Sequence, residues 1–303
     1  MRGIVTGSLI SFVAAGIMAA CGGTTPITPT PGGGGNGGTG GGGTTTNTPP
    51  QIKSITLSDT RVEAGTPVTI TAVAEDAETP IANLEFRWEA ETGTFSGNTA
   101  VVTWTPGSNA KTPADYVITL TLVETFTIGP FTLENKAIST ATAHVNNSTK
   151  ELADMSVRFL TDFANSSIPA DRCLGEFDVT QPVCVGGKAD EFNDIFRNRH
   201  DLLIMASTIR PTSVSIAQSR TNATVHTFCS FTSKVISSEP LNCPGCVLGN
   251  VGTTSGDCYT TNVYVGGRWW LCESHYTSTS NSLTAFQRAL EQALFGIRKP
   301  ELP

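Results

Sequence analysis

Residues 262–275 read NVYVGGRWWLCESH, and this stretch decides how the second half of the chain folds. Apolar and polar side chains alternate on both sides of Gly266-Gly267. A Gly-Gly pair between two alternating runs marks a tight β-hairpin. Closing the hairpin there sets Val265 opposite Arg268, Tyr264 opposite Trp269 and Asn262 opposite Leu271. With a side-chain period of two, one face carries Asn262, Tyr264, Trp269, Leu271, Glu273 and His275. The other carries Thr261, Val263, Trp270 and Cys272. The first face mixes aromatic surface with titratable groups, as a ligand pocket does. Tyr264 and Trp269 are therefore the pocket candidates. Glu273 and His275, with His226 on a neighbouring strand, are the candidates for acid–base catalysis. The plainer alternative leaves His275 and Glu273 at a strand end in solvent and makes His226 a satisfied core residue.

The rest of this half supports a sheet with helices before and after it. SVSIAQS (213–219), ATVHTFCSFTSKVI (223–236) and CYTTNVYV (258–265) read as strands. Leu152, Met155, Phe159, Leu160 and Phe163 recur at helical spacing, so 150–164 reads as an amphipathic helix. A second helix is expected over 188–205, with Phe192, Ile195, Phe196, Leu202, Leu203 and Met205 as its stripe. SLTAFQRALEQAL (282–294) reads as a third, capped by Ser282. Helices followed by an antiparallel meander give an α+β domain over 148–303. His200-Asp201 are adjacent on the expected helix, so no dyad is predicted there. Asp190 and Asp194 share a solvated face.

The leading helix ELADMSVRFLTDFANS, the strand ATVHTFCSFTSKVI and the hairpin NVYVGGRWWLCESH together resemble the nuclear-transport-factor-2-like (SnoaL-like) family. That resemblance implies helices packed on a curved antiparallel sheet, cone-like. Its members include isomerases, cyclases, dehydratases and non-enzymatic binding modules, so the fold leaves function open.

Residues 50–147 have period two throughout. VTITAVAED, LEFRWEA, VVTWT, YVITLTLVE and AISTATAHV alternate and are punctuated by Gly65-Thr66-Pro67, Gly93, Gly97 and Pro106-Gly107. Short strands at this spacing, without a helix, indicate a β-sandwich. Ala74-Glu75-Asp76, Leu84 to Trp88, Gly93-Thr94-Phe95 and Tyr116 resemble immunoglobulin-like domains of the PKD type. The resemblance implies a tryptophan packed between the sheets and a tyrosine at a strand corner. Glu75, Asp76 and Glu78 could hold calcium, but three acids in a turn read first as a solvated loop.

The N-terminus supplies an address. Arg2, an apolar run to Ala20 and small residues before Cys21 describe a secretory signal over 1–20. Met18-Ala19-Ala20-Cys21 resembles the lipobox of bacterial lipoproteins, which implies a lipid on the Cys21 thiol. Two acyl chains anchor stably where one does not. Gly22 in place of Asp implies, by the same resemblance, the outer membrane or cell surface. Residues 21–49 then form a Gly/Thr/Pro tether, expected to span about 30 Å as a coil.

Seven cysteines remain: Cys173, Cys184, Cys229, Cys243, Cys246, Cys258 and Cys272, all in 148–303. In an exported protein they form disulfides by default. Cys173 and Cys184 are expected to pair, a further bond to staple the loop around Cys243, Cys246 and Cys258, and one thiol to stay free. Cys243-x-x-Cys246 has redox and zinc spacing, but lacks the following helix for the first and a second ligand pair for the other. No metal or other cofactor is expected. The chain has 19 basic and 26 acidic residues, net −7, without basic clusters, which argues against nucleic acid. The sequence therefore points to a non-enzymatic, lipid-anchored envelope protein. Its α+β domain would bind an envelope protein, glycan or small molecule. An acid–base enzyme and a purely structural component are the alternatives.

Overall fold

The computed structural model describes residues 47–241, 243, 245–278 and 284–295. Cys21 and the signal and tether sequences before Asn47 lie outside the described residues, as does Ser282.

Apart from one 3-10 turn (Ile81–Asn83), the regular elements of the first part are strands: β1 (Gln51–Leu57), β2 (Arg61–Glu63), β3 (Val68–Glu75), β4 (Glu85–Ala90), β5 (Thr94–Phe95), β6 (Val101–Thr105), β7 (Ala114–Ile128) and β8 (Phe131–Asn146). They form two four-stranded sheets, in the orders β1-β3-β6-β5 and β2-β8-β7-β4. Val68, Ile70, Val102 and Trp104 from the first sheet meet Tyr116, Ile118, Ala143 and Val145 from the second in one core. Alternation explains this: Val68, Ile70 and Ala72 are buried, while Thr69 and Val73 face out. The fully buried tryptophan is Trp104, whose Nε1 donates to the Thr92 carbonyl at 3.1 Å. Trp88, expected between the sheets, lies on the same inward face of β4 as Phe86, is partly buried against the core and stacks on Phe95 of the other sheet. Tyr116 donates its hydroxyl back to the Lys111 carbonyl at 3.0 Å.

The second part begins with α1 (Ser148–Ala164), α2 (Ala170–Cys173) and α3 (Pro182–Asp201). A third, antiparallel sheet follows: β9 (Leu202–Ile216), β10 (Asn222–Val235), β11 (Val251–Val265) and β12 (Arg268–Ser278), in the order β12-β11-β10-β9. Helix α4 (Ala285–Phe295) follows. It starts with a reciprocal capping box: the Thr284 amide donates to Gln287 Oε1 at 3.0 Å, and the Gln287 amide to Thr284 Oγ1 at 3.1 Å. Leu152, Met155, Phe159 and Phe163 of α1 and Leu290, Ala293 and Leu294 of α4 fill one face of the sheet.

The second helix is shorter at its end than its apolar stripe suggests. It stops at Asp201, and Leu202, Leu203 and Met205 are strand, with Leu203 opposite Lys234 in the β9–β10 ladder. Pairing with β10 outweighs a stripe that helix and strand can both accommodate. Asp201 sits where the helix turns extended, so its Oδ1 reaches His200 Nδ1 at 2.7 Å. The neighbours expected to diverge are therefore in contact.

Candidate ligand-binding face

The ladder register places the sequence-predicted residues. Val265–Arg268, Tyr264–Trp269 and Asn262–Leu271 pair as the Gly-Gly turn requires. Beyond Leu271 the register shifts, so Glu273 lies opposite Thr261 and His275 opposite Tyr259. One extra residue on β12, a β-bulge, moves everything after it to the other side of the sheet. Trp269 and Leu271 remain in the core, while Glu273 and His275 join the opposite face. The single face expected to hold all four is thus divided between the two sides.

The bulge lies where α3 is tied to β12. Cys272 is bonded to Cys184 in the first turn of α3. Gly187, one turn on, lies so close to β12 that a Cβ there would sit 2.2 Å from the Cys272 carbonyl oxygen. Val263, Trp270 and Val265 complete this small cluster.

The opposite face is built in rows across four strands. Ser215, Thr224, Thr261 and Glu273 form one row. Ser213, His226, Tyr259 and His275 form the next, and Arg210, Phe228, Asp257 and Thr277 the third. In the middle row the rings stack: His226 on Tyr259 with centroids 5.5 Å apart, and Tyr259 on His275 at 4.8 Å. Asp257 Oδ2 is 2.6 Å from His226 Nδ1, and Glu273 Oε2 is 3.6 Å from His275 Nε2. The structure therefore brings His226, His275 and Glu273 together and adds Tyr259 and Asp257. The sequence signal for these two was the alternation in DCYTT, legible only once the register is known.

This face is open. His226 keeps 42% of its side-chain surface, and Asp257, Glu273 and His275 about a third each (33, 34 and 27%). Beside it lies a groove of about 530 Å³. It is bounded by Gln181 and Val183 at the start of α3 and floored by Ser215, Thr224, Thr261 and Glu273. Among the described residues its lining contains hydroxyls, amides, apolar side chains and the one carboxylate, with no cation. Glu273 belongs to both groove and ring row.

Tyr264 and Trp269 do not line this groove. They close the joint between the two halves of the folded chain. The Arg61 guanidinium lies over Tyr264, Tyr264 Oη donates to Asn146 Oδ1 at 2.9 Å, and Trp269 Nε1 donates to Ser148 Oγ at 2.9 Å. Glu63 accepts from the Ser148 amide and hydroxyl at 2.9 and 2.7 Å, and His144 Nε2 contacts the Gly267 carbonyl at 2.8 Å. Arg61 and Arg220 each donate to the other's carbonyl, and Arg220 also reaches Asp59.

The cysteines pair as Cys184–Cys272, Cys229–Cys258 and Cys243–Cys246, with Cys173 free. The expected Cys173–Cys184 bond is absent, because the start of α3 is drawn to β12. Cys173 instead lies buried beside Arg199, whose Nη2 is 3.4 Å from Sγ. Burial raises the Cys173 pKa, although Arg199 opposes it. Among the described residues no group of three metal-ligating side chains comes together. Asp76 of the acidic turn accepts from the amides of Glu78 and Thr79, and Glu78 accepts from Thr48. Among the described residues no helix is long and apolar enough to cross a membrane.

No protein-family model matches the chain, and no curated protein matches it. Among solved structures, a ketosteroid isomerase-like protein from Erwinia carotovora atroseptica is similar over 45% of this chain and 98% of that one, at 12% identity and a TM-score of 0.34. The intermembrane space region of the chloroplast protein ARC6 is similar over 42% of this chain and 97% of that one, at 9% identity and a TM-score of 0.27. These likenesses are slight.

Proposed function

We propose that this is an exported, lipid-anchored binding protein of the bacterial envelope, held at the outer membrane or cell surface through Cys21. On this reading the first part is an immunoglobulin-like spacer of the PKD type. The second is a nuclear-transport-factor-2-like cone whose open sheet face takes a ligand. Three disulfides favour export, since such bonds persist in oxidising compartments. The Tyr116 hydroxyl bond to a carbonyl five residues upstream favours the immunoglobulin-like reading.

The carrying observation is the side of the sheet on which the polar groups lie. The helix-covered side is filled with core, and at its hairpin end Tyr264 and Trp269 close it against Arg61 of the first part. His226, Tyr259, His275 and Glu273 occupy the open side beside a hydroxyl-rich groove whose described lining residues include no cation. Such a lining suits a neutral, polyhydroxylated ligand, and we read it as a glycan site. Acid–base catalysis is the weaker reading, because an open, solvated face neither excludes water nor encloses a substrate.

Titration of the purified chain with chitotetraose, maltotetraose and cellotetraose, followed by saturation-transfer NMR, tests the glycan site. Binding of one of them, weakened by Glu273→Gln and by Tyr259→Ala, supports it. No transfer from any of the three, or transfer unaffected by both substitutions, removes it.

A further inference from the structure

The β7–β8 hairpin outruns its sheet. Glu85–Val123 is the last pair between β4 and β7, while β7 and β8 go on pairing to Ile128–Phe131. The residues beyond Val123 form a free two-stranded ribbon closed by Gly129-Pro130, with Gly129 at φ +59°. A bare ribbon of this kind is marginal in water.

The ribbon is amphipathic. Directly opposed residues share a face, so Phe126, Leu133, Ile128 and Phe131 lie together. Thr125, Glu134, Thr127 and Thr132 occupy the other face. The apolar face continues the inward face of β7, where Ile118, Leu120 and Leu122 are fully buried. Past the end of the opposing sheet nothing described covers it: Ile128 is 58% exposed, Phe131 67% and Leu133 43%. From Thr125 to Leu133 there is no charge, and Glu134 beyond is paired with Lys136 at 2.9 Å.

The chain enters the folded unit at the root of this same face. Asn47 Nδ2 donates to Glu124 Oε2 at 2.8 Å, and Asn135 Nδ2 donates to the same oxygen at 3.1 Å. Glu124 and Asn135 are the pair below Phe126 and Leu133 on the apolar side. The tip therefore stands about 13 Å beyond the point where the tether joins, four residues at strand rise. The sequence 22–46 that leads back to Cys21 has Ile27 as its sole large apolar residue, too little to cover four such side chains.

We propose that the β7–β8 tip is a second membrane contact: Phe126, Ile128, Phe131 and Leu133 insert into the lipid surface to which Cys21 is anchored. The inference rests on the lipid-anchor reading of Cys21. The acyl chains on Cys21 suffice to hold the chain at the membrane, and an apolar face buried in the same lipid adds area and a fixed orientation to that attachment. The tether alone would leave the orientation free, whereas a tip in the lipid fixes which way the unit stands.

The test uses the full chain, processed in its host and reconstituted in phosphatidylethanolamine–phosphatidylglycerol vesicles with brominated acyl chains. Phe131→Trp places a reporter at the tip. Val117→Trp places one at an exposed site about 35 Å back along β7. After subtraction of the emission of the unsubstituted chain, which carries four tryptophans of its own, the signal added at the tip is expected to be blue-shifted and quenched about twofold relative to the same vesicles without bromine, and the signal added at the control site unchanged. Equal quenching of the two, or none, overturns the proposal. Intact mass reads acylation of Cys21 separately. An acylated chain with an unquenched tip refutes the hairpin alone. A chain without acyl groups refutes the anchor, and its tip is then judged by quenching on added vesicles. Dimers that dissociate on Ile128→Ser, without quenching, would mean that a second copy covers the face, and would also overturn it.

Discussion

The guanidinium carbon of Arg61 lies 3.3 Å from the centre of the Tyr264 ring and 5.2 Å from that of Trp269. One residue comes from a three-residue strand of the first part, the others from the hairpin of the second. Burial lowers the Arg61 pKa and raises that of Tyr264. A guanidinium stays protonated even so, and the contact is a cation over a neutral ring. Desolvated contacts of this type are worth about 2 kcal/mol. With the Glu63–Ser148 and Trp269–Ser148 bonds, they make the two parts one compact unit from Asn47 onward. We expect Arg61→Ala to cost about 2 kcal/mol and to split thermal unfolding into two transitions by calorimetry. A single, unshifted transition would show that the joint is held without it.

The contact of α3 with β12 allows no side chain at position 187. We expect Gly187→Ala to destabilise by about 1–3 kcal/mol, since the clash is with backbone and cannot be relieved by a rotamer change. Removing the bond beneath it, in Cys184→Ala/Cys272→Ala, should cost about 2–5 kcal/mol, because it frees a long loop of the unfolded chain. Urea unfolding under non-reducing conditions measures both. A Gly187→Ala midpoint equal to wild type would rule out the close approach.

Peptide mapping without reduction should recover Cys184–Cys272, Cys229–Cys258 and Cys243–Cys246 as linked pairs. Cys173 should alkylate only after denaturation. Burial raises the pKa of that thiol and shields it, so little thiolate is available in the folded protein. Rapid labelling of native Cys173, or a Cys173–Cys184 peptide, would contradict the packing around Arg199.

Asp178 is buried where the chain turns into α3. Burial works to raise its pKa, but bonds from the Thr180 hydroxyl and from the amides of Thr180, Gln181 and Val179 outweigh it and hold the carboxyl below its usual range. A depressed folded pKa contributes stability above the unfolded value, and that contribution is lost as pH falls through the folded one. Asp178→Asn should therefore cost about 1–2 kcal/mol at neutral pH, and the gap to wild type should close in acid. Urea midpoints taken from neutral pH down to the acid limit measure the gap. A gap of constant size would mean that charge is not what these donors recognise.

Much of the architecture was legible by eye. Val68, Ile70 and Ala72 alternate because a half-buried strand has no other way to divide its side chains. Leu152, Met155, Phe159 and Phe163 form a stripe because α1 has one covered face. Gly266-Gly267 fixed the register of the first pairs of the last hairpin, since both residues take positive φ (61° and 84°). These are local consequences of backbone period and turn geometry.

What the sequence could not carry was everything decided by partners distant along the chain. Leu202 to Met205 suit a helix or a strand, and β10 decides for strand. Trp88 and Trp104 both face the space between the two sheets, and only the meeting of those sheets decides that Trp104 is buried completely while Trp88 keeps an edge in solvent. Tyr264 and Trp269 have the composition of a pocket, but Arg61, some two hundred residues earlier, makes them a joint. The bulge at Cys272 carries Glu273 and His275 across the sheet to His226 and Tyr259. No local pattern announces it, and it sits where Cys184 and Gly187, distant along the chain, lie against β12. Side-chain period is a property of neighbours in sequence. Which side of the sheet is core, and so which residues are free to meet a ligand, is a property of what packs against it.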